Sequence, residues 1–184
     1  MAKTLYDVER IQELHPKIRA QDWRSPLVSR LQGRESYCDG STEVSINYRS
    51  MNAEAKCQES EVMLRWSGLE EDYKLCINTY QGPTLTEFAT LGLACILVAE
   101  LPHLEITEVA RRGERADYWL GDKELLLEVS GQVNGSLSSL RDDKAKQLQA
   151  NPFGKAGYVC VANYSEAASY LWYYEGSNDI ASPE

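Results

Sequence analysis

The chain has 184 residues, 43 % of them hydrophobic, enough for one core with an appended subdomain. Nineteen Lys and Arg against 28 Asp and Glu give a net charge of -9, which repels nucleic acid unless the cations are gathered on one face. The sequence has no uninterrupted apolar run of about 18 residues and no apolar leader in MAKTLYDVERIQ; it is expected to be soluble and cytoplasmic, with no membrane association.

In chain order, Tyr6, Val8, Ile11, Leu14 and Ile18 predict a helix over 6–18, and residues 26–32 predict a second. Segments 43–49, 61–67 and 73–80 alternate apolar with polar residues and predict an antiparallel meander with one wet face. Residues 1–83 are thus an N-terminal extension of helices and antiparallel strands. The run TLTEFATLGLACILVAE predicts an apolar helix over 84–100. Its start, Thr84-Leu85-Thr86-Glu87, matches a capping box in which Glu87 reaches back to the Thr84 amide. A strand is expected over 104–110, a hairpin over 115–132, a helix over 136–149, and strands over 157–162 and 169–175. Residues 176–184 read as a frayed, flexible tail.

The hairpin, RADYWLGDKELLLEVSGQ, is the chemically informative stretch. A two-residue turn at Gly121-Asp122 pairs Leu120 with Lys123 and makes Asp117 a diagonal neighbour of Glu128 on one face. Diagonal positions lie roughly 7–8 Å apart, a span two carboxylates close around a hard cation such as Mg²⁺. The same residues also fit an ordinary solvated strand face. A turn longer by one residue would send Glu128 to the opposite face.

Helix, three strands, helix, two strands, with an acid on the middle strand and Glu-x-Ser on the next, resembles the core of the PD-(D/E)XK nuclease superfamily over residues 84–175. The resemblance implies an α+β or α/β fold with a central mixed sheet flanked by helices, restriction-endonuclease-like. It also implies Mg²⁺ or Mn²⁺ held by Asp117 and Glu128, and hydrolysis of a phosphodiester in DNA or RNA. The lysine position of the motif holds Ser130, whose hydroxyl hydrogen-bonds but carries no charge. Some family members that lack this lysine supply it from the following helix. Here Lys144 lies on the stripe of Leu137, Leu140 and Leu148, pointing inward or snorkelling to water. Gln132, two residues beyond Ser130, and Gln147, one turn beyond Lys144, are further polar candidates. Some members also carry a metal-binding Glu on the first core helix, which gives Glu87 that role or the capping one.

Other chemistries lack their residues. The five cysteines form no C-x-x-C, which argues against a zinc ribbon or a disulfide framework. His15 and His103 are the only histidines, and both read as structural or exposed. No phosphate loop, dinucleotide fingerprint or Gly-x-Ser-x-Gly elbow is present. Arg111, Arg112 and Arg115 precede Asp117 and either neutralise phosphate there or sit in a solvated loop. Tyr170, Trp172, Tyr173 and Tyr174 either stack on bases or serve packing and association. Two classes therefore remain: a metal-dependent nuclease with Asp117, Glu128, Lys144 and Gln132 at its centre, or a non-catalytic subunit of the same fold. The acidic balance suits work in a complex, with a protein partner or as a homo-oligomer.

Overall fold

The structure, a computed structural model, describes residues 4–31, 40–51, 57–68 and 70–177. Cys38 and most of the expected tail lie outside the described residues. The elements are β1 (Thr4–Asp7), α1 (Ile11–Leu14), α2 (Arg24–Leu31), β2 (Gly40–Arg49), β3 (Gln58–Trp66), α3 (Glu70–Thr79) and α4 (Gly82–Glu100). They continue with β4 (Ile106–Val109), β5 (Tyr118–Leu120), β6 (Leu125–Gln132), α5 (Leu137–Gln149), β7 (Gly157–Asn163) and β8 (Ala168–Tyr174). The fold is α+β, with helices packed on one mixed eight-stranded sheet of order β1-β3-β2-β8-β7-β6-β5-β4.

Residues 1–83 and 84–175 share this sheet, because β2 runs parallel to β8 and joins the two stretches. Within the second stretch β5 is antiparallel to β4 and β6, β6 is parallel to β7, and β7 is antiparallel to β8. The parallel β6-β7 pair needs a crossover, and α5 supplies it. The strand residues alternate between two cores. Leu127, Val129, Cys160 and Leu171 pack with α4 in the larger one. Leu126, Val159 and Val161 pack with Leu137, Ala145 and Leu148 of α5 on the other face.

Helix α4 owes its all-round apolar sequence to burial on several sides, against α2, β6 and β7. By length and composition it is also apolar enough to cross a membrane, but 67 % of that stretch is buried inside the protein. Its contact with β6 is close: a methyl group at Gly131 would overlap the Thr90 hydroxyl and crowd Thr86. Glycine there lets the helix backbone approach the strand that carries Glu128.

Several expected elements differ. The predicted helix over 6–18 is split into β1, a 3-10 turn at Val8–Arg10 and α1. Tyr6 takes an extended conformation because β1 pairs in parallel with β3 at the sheet edge, Tyr6 against Leu64. The predicted third strand, 73–80, is helix α3. Its alternation is not used by any sheet: Cys76 is buried against α2, whereas Leu75 and Ile77 are exposed. The meander is thus reduced to the antiparallel β2-β3 pair. Helix α4 starts before Thr84, with Gln81 at the N-cap and Pro83 in the first turn. Thr84 is then inside the helix, and Glu87 has no capping role there.

His15, read as structural or exposed, is fully buried. Its Nε2 lies 2.7 Å from the Cys95 carbonyl, and its Nδ1 accepts the Ile106 N–H at 2.9 Å, tying the N-terminal segment to α4 and β4. Burial pushes its pKa below the usual histidine value, which favours the neutral ring that both bonds require.

Candidate functional site

The hairpin closes through residues 121–124 rather than through two residues, so Leu120 pairs with Leu125 and Tyr118 with Leu127. A register change of two preserves the parity of every side chain. Asp117 sits where the regular ladder ends. Its N–H donates to the Leu127 carbonyl at 3.0 Å, and its Oδ2 replaces a backbone carbonyl as acceptor of the Val129 N–H at 2.7 Å. Its own carbonyl accepts from Ala110, closing the preceding loop. The carboxylate is therefore held by the strand whose next inward residue is Glu128.

Glu128 is the buried charge of this face, 0 % exposed in a row with Val159 of β7. The Lys144 ammonium donates to Glu128 Oε1 at 2.6 Å. It also donates to Gln147 Oε1 at 3.2 Å. Lys144 reaches inward because Ala145 and Leu148 fix the buried side of α5, and its side chain is only 24 % exposed. The other oxygen, Glu128 Oε2, is buried without a hydrogen-bond partner, an expensive state for a carboxylate.

The electrostatics follow from this burial. Desolvation first, and the Asp117 charge second, push the Glu128 pKa up to about 7, against the opposing pull of Lys144. Desolvation likewise raises Asp117, with the Val129 N–H and Lys144 opposing and Glu87 adding to the rise. Both carboxyls share one field, and a cation supplied to the pair would relieve it.

The other expected residues fall around this pair. Ser130 and Gln132 continue the same face of β6, half-buried, and Gln132 Nε2 is buried without a partner. Glu87 is exposed on α4, packed on the opposite side of the sheet; it acts on Asp117 through its charge. Among the described residues no three His, Cys, Asp or Glu side chains converge on one point, so Glu87 does not complete a three-acid cluster. Two carboxylates nevertheless suffice for Mg²⁺, which keeps several waters and takes further ligands from substrate phosphate.

Glu114 is the residue whose part sequence reasoning missed. Its Oε2 accepts from the Arg111 N–H at 2.6 Å and from Trp119 Nε1 at 3.0 Å, so it shapes the loop that carries the three arginines. The sequence signal was faint: one acid inside RRGER, five residues before a tryptophan. The aromatic row on β8 is engaged in packing. Tyr170 and Trp172 stack at 5.6 Å, with the Arg141 guanidinium 4.0 Å from the Trp172 ring centroid. Comparison with protein-family models, curated proteins and solved structures finds no match to this chain.

Proposed function

We propose that the chain is a nuclease-like protein whose Asp117–Glu128 pair holds Mg²⁺ or Mn²⁺ for hydrolysis of a phosphodiester in DNA or RNA. The observation that carries this reading is Glu128: fully buried, one oxygen on the Lys144 ammonium, the other without a partner, and within the field of Asp117. A carboxylate left in that state costs the fold stability, which is the usual mark of a group kept for chemistry. The succession α4, β4-β5-β6, α5, β7-β8 is a helix, three strands, a helix and two strands, the element order on which the resemblance to the PD-(D/E)XK core rests, and it supports this reading.

In this reading Asp117 and Glu128 would hold the cation, which would supply a water of lowered pKa and polarise the phosphoryl oxygen. Asp117 is kept in orientation by the Val129 N–H, so one ligand is fixed before substrate arrives. Lys144 holds Glu128 through its ammonium, and from that position it would donate to a phosphate oxygen or to the attacking water. Gln132 offers a further donor along the strand.

A second reading, a non-catalytic subunit that binds a protein partner or another copy of itself, draws on Ser130 at the motif's lysine position and on the net charge of -9. Lysine exchange separates the two. Lys144→Met is expected to lower Mg²⁺-supported cleavage of an oligonucleotide roughly a hundredfold or more. Adding Ser130→Lys, which returns an ammonium on the same face of β6, is expected to restore part of it. Full activity in Lys144→Met would remove lysine from the mechanism. No cleavage by the wild type across DNA and RNA, single and double strands, with Mg²⁺ or Mn²⁺, would leave the binding role.

A further inference from the structure

The loop of residues 110–117 is closed at its base by the Ala110 N–H on the Asp117 carbonyl, 2.9 Å, and across its middle by the Glu114 N–H on the Arg111 carbonyl, 3.0 Å. Gly113 at φ +98 and Arg115 at φ +56 turn the chain within it. The Glu114 carboxylate, bonded to the Arg111 N–H and to Trp119 Nε1, fastens this shape to β5. What the loop presents outward is Arg111, Arg112 and Arg115, all exposed.

These cations differ from others in the chain. Arg10, Arg19, Arg24 and Arg65 each meet a carboxylate. Lys123 and Lys146 do too. Arg111, Arg112 and Arg115 form no side-chain ion pair with any described residue, and the one acid among them directs its bonds to a backbone amide and an indole. An acidic protein therefore carries, immediately before Asp117, a preshaped loop of three guanidiniums without an ion pair among the described residues, of which Arg111 alone lies within the field of Glu114.

We infer that this loop is the grip for the phosphodiester backbone of a nucleic-acid strand, with Glu114 as its positioning residue. The inference rests on the nuclease-like reading for the identity of the neighbouring centre, but it is a statement about binding and is tested without metal. Guanidinium forks match phosphate oxygens in geometry and charge, and a loop shaped in advance loses little freedom on contact. Gathering cations at one place answers the objection that a net charge of -9 raises against nucleic-acid binding.

The test is fluorescence anisotropy of labelled single-stranded DNA, duplex DNA and single-stranded RNA in EDTA, over a range of salt. The full chain is compared with the triple variant Arg111→Ala, Arg112→Ala, Arg115→Ala. Wild-type protein is expected to bind at least one of the three, which also identifies the strand type. The triple variant should bind it at least about tenfold more weakly, with the salt slope reduced by about 2 to 3. Glu114→Ala supplies a sign test: deleting a negative charge beside a phosphate site would by itself tighten binding, whereas loss of the fastening weakens it, and weakening is expected. Equal affinity in the triple variant overturns the grip, as does a wild type that binds polyglutamate but no nucleic acid. Tighter binding by Glu114→Ala overturns the positioning role. Binding lost in the triple variant of a protein that never cleaves would keep the grip and discard the cleavage centre.

Discussion

Asp117→Asn and Glu128→Gln should each reduce Mg²⁺- or Mn²⁺-supported cleavage by roughly a thousandfold, about 4 kcal/mol of transition-state stabilisation at about 1.36 kcal/mol per decade. Amides are preferred to alanine because they preserve shape. An asparagine oxygen still accepts the Val129 N–H, and a glutamine oxygen still accepts from Lys144, so both structural bonds survive. What disappears is the paired negative charge. With only two carboxylates in the site and no third His, Cys, Asp or Glu converging among the described residues, loss of either leaves too little to fix a cation. Initial rates on an oligonucleotide substrate, with circular dichroism to verify folding, provide the check. Near wild-type activity in either variant would remove the pair from catalysis.

Glu128→Gln should also stabilise the fold, and the size of the gain should depend on pH. The carboxyl has a folded-state pKa of about 7, against 4.5 for an ordinary glutamate in water. A group whose pKa is raised on folding supports the native state fully below its unfolded pKa, and that support is lost as pH rises from about 4.5 through about 7. At pH 8 the wild type holds an ionised, partly unsatisfied carboxylate in the core, and the neutral amide removes that cost. The gain at pH 8 is expected to reach about 3 kcal/mol at most, since each tenfold change in proton affinity corresponds to about 1.36 kcal/mol. It should shrink towards zero below pH 4.5, where the wild-type carboxyl becomes neutral in both states. Urea unfolding of both proteins at several pH values reads this difference. His15, whose pKa is lowered, acts with the opposite sign: its support is lost as pH falls from about 6.5 through its lower folded-state value. Both proteins share that trend, so it cancels in the comparison. A variant less stable than the wild type at pH 8 would mean that the Lys144 ion pair outweighs desolvation at Glu128.

Much of the second half of the chain was legible because its elements are buried and their periodicity answers directly to burial. Residues 157–162 lie within a strand buried throughout, and Lys144 was marked by leucines at helical spacing. The hairpin turn was misjudged by two residues, yet the face of Glu128 was right, since parity survives an even change of register. Two of the failures share a cause: the decisive partner lies far away in sequence or is missing. Tyr6 extends because Leu64 pairs with it, and the alternation at 73–80 found no neighbouring strand. The capping box at Thr84 gave way to a start at Gly82, with Pro83 in the first turn. No pattern within the hairpin indicated that one oxygen of Glu128 would lack a partner, because that depends on how β6, β5 and α5 meet.

The most direct measurement is a calorimetric titration of Mn²⁺ into the wild-type protein at pH 8, repeated with Glu128→Gln. The wild type is expected to take up one ion per chain, with binding weakened at least tenfold or lost in the variant, because one of the two carboxylate ligands is gone. Lowering the pH to 6, below the Glu128 pKa of about 7, should weaken wild-type binding as the ion competes with a proton. Binding that is absent in the wild type, or equal in the two proteins, would contradict a cation site at Asp117 and Glu128.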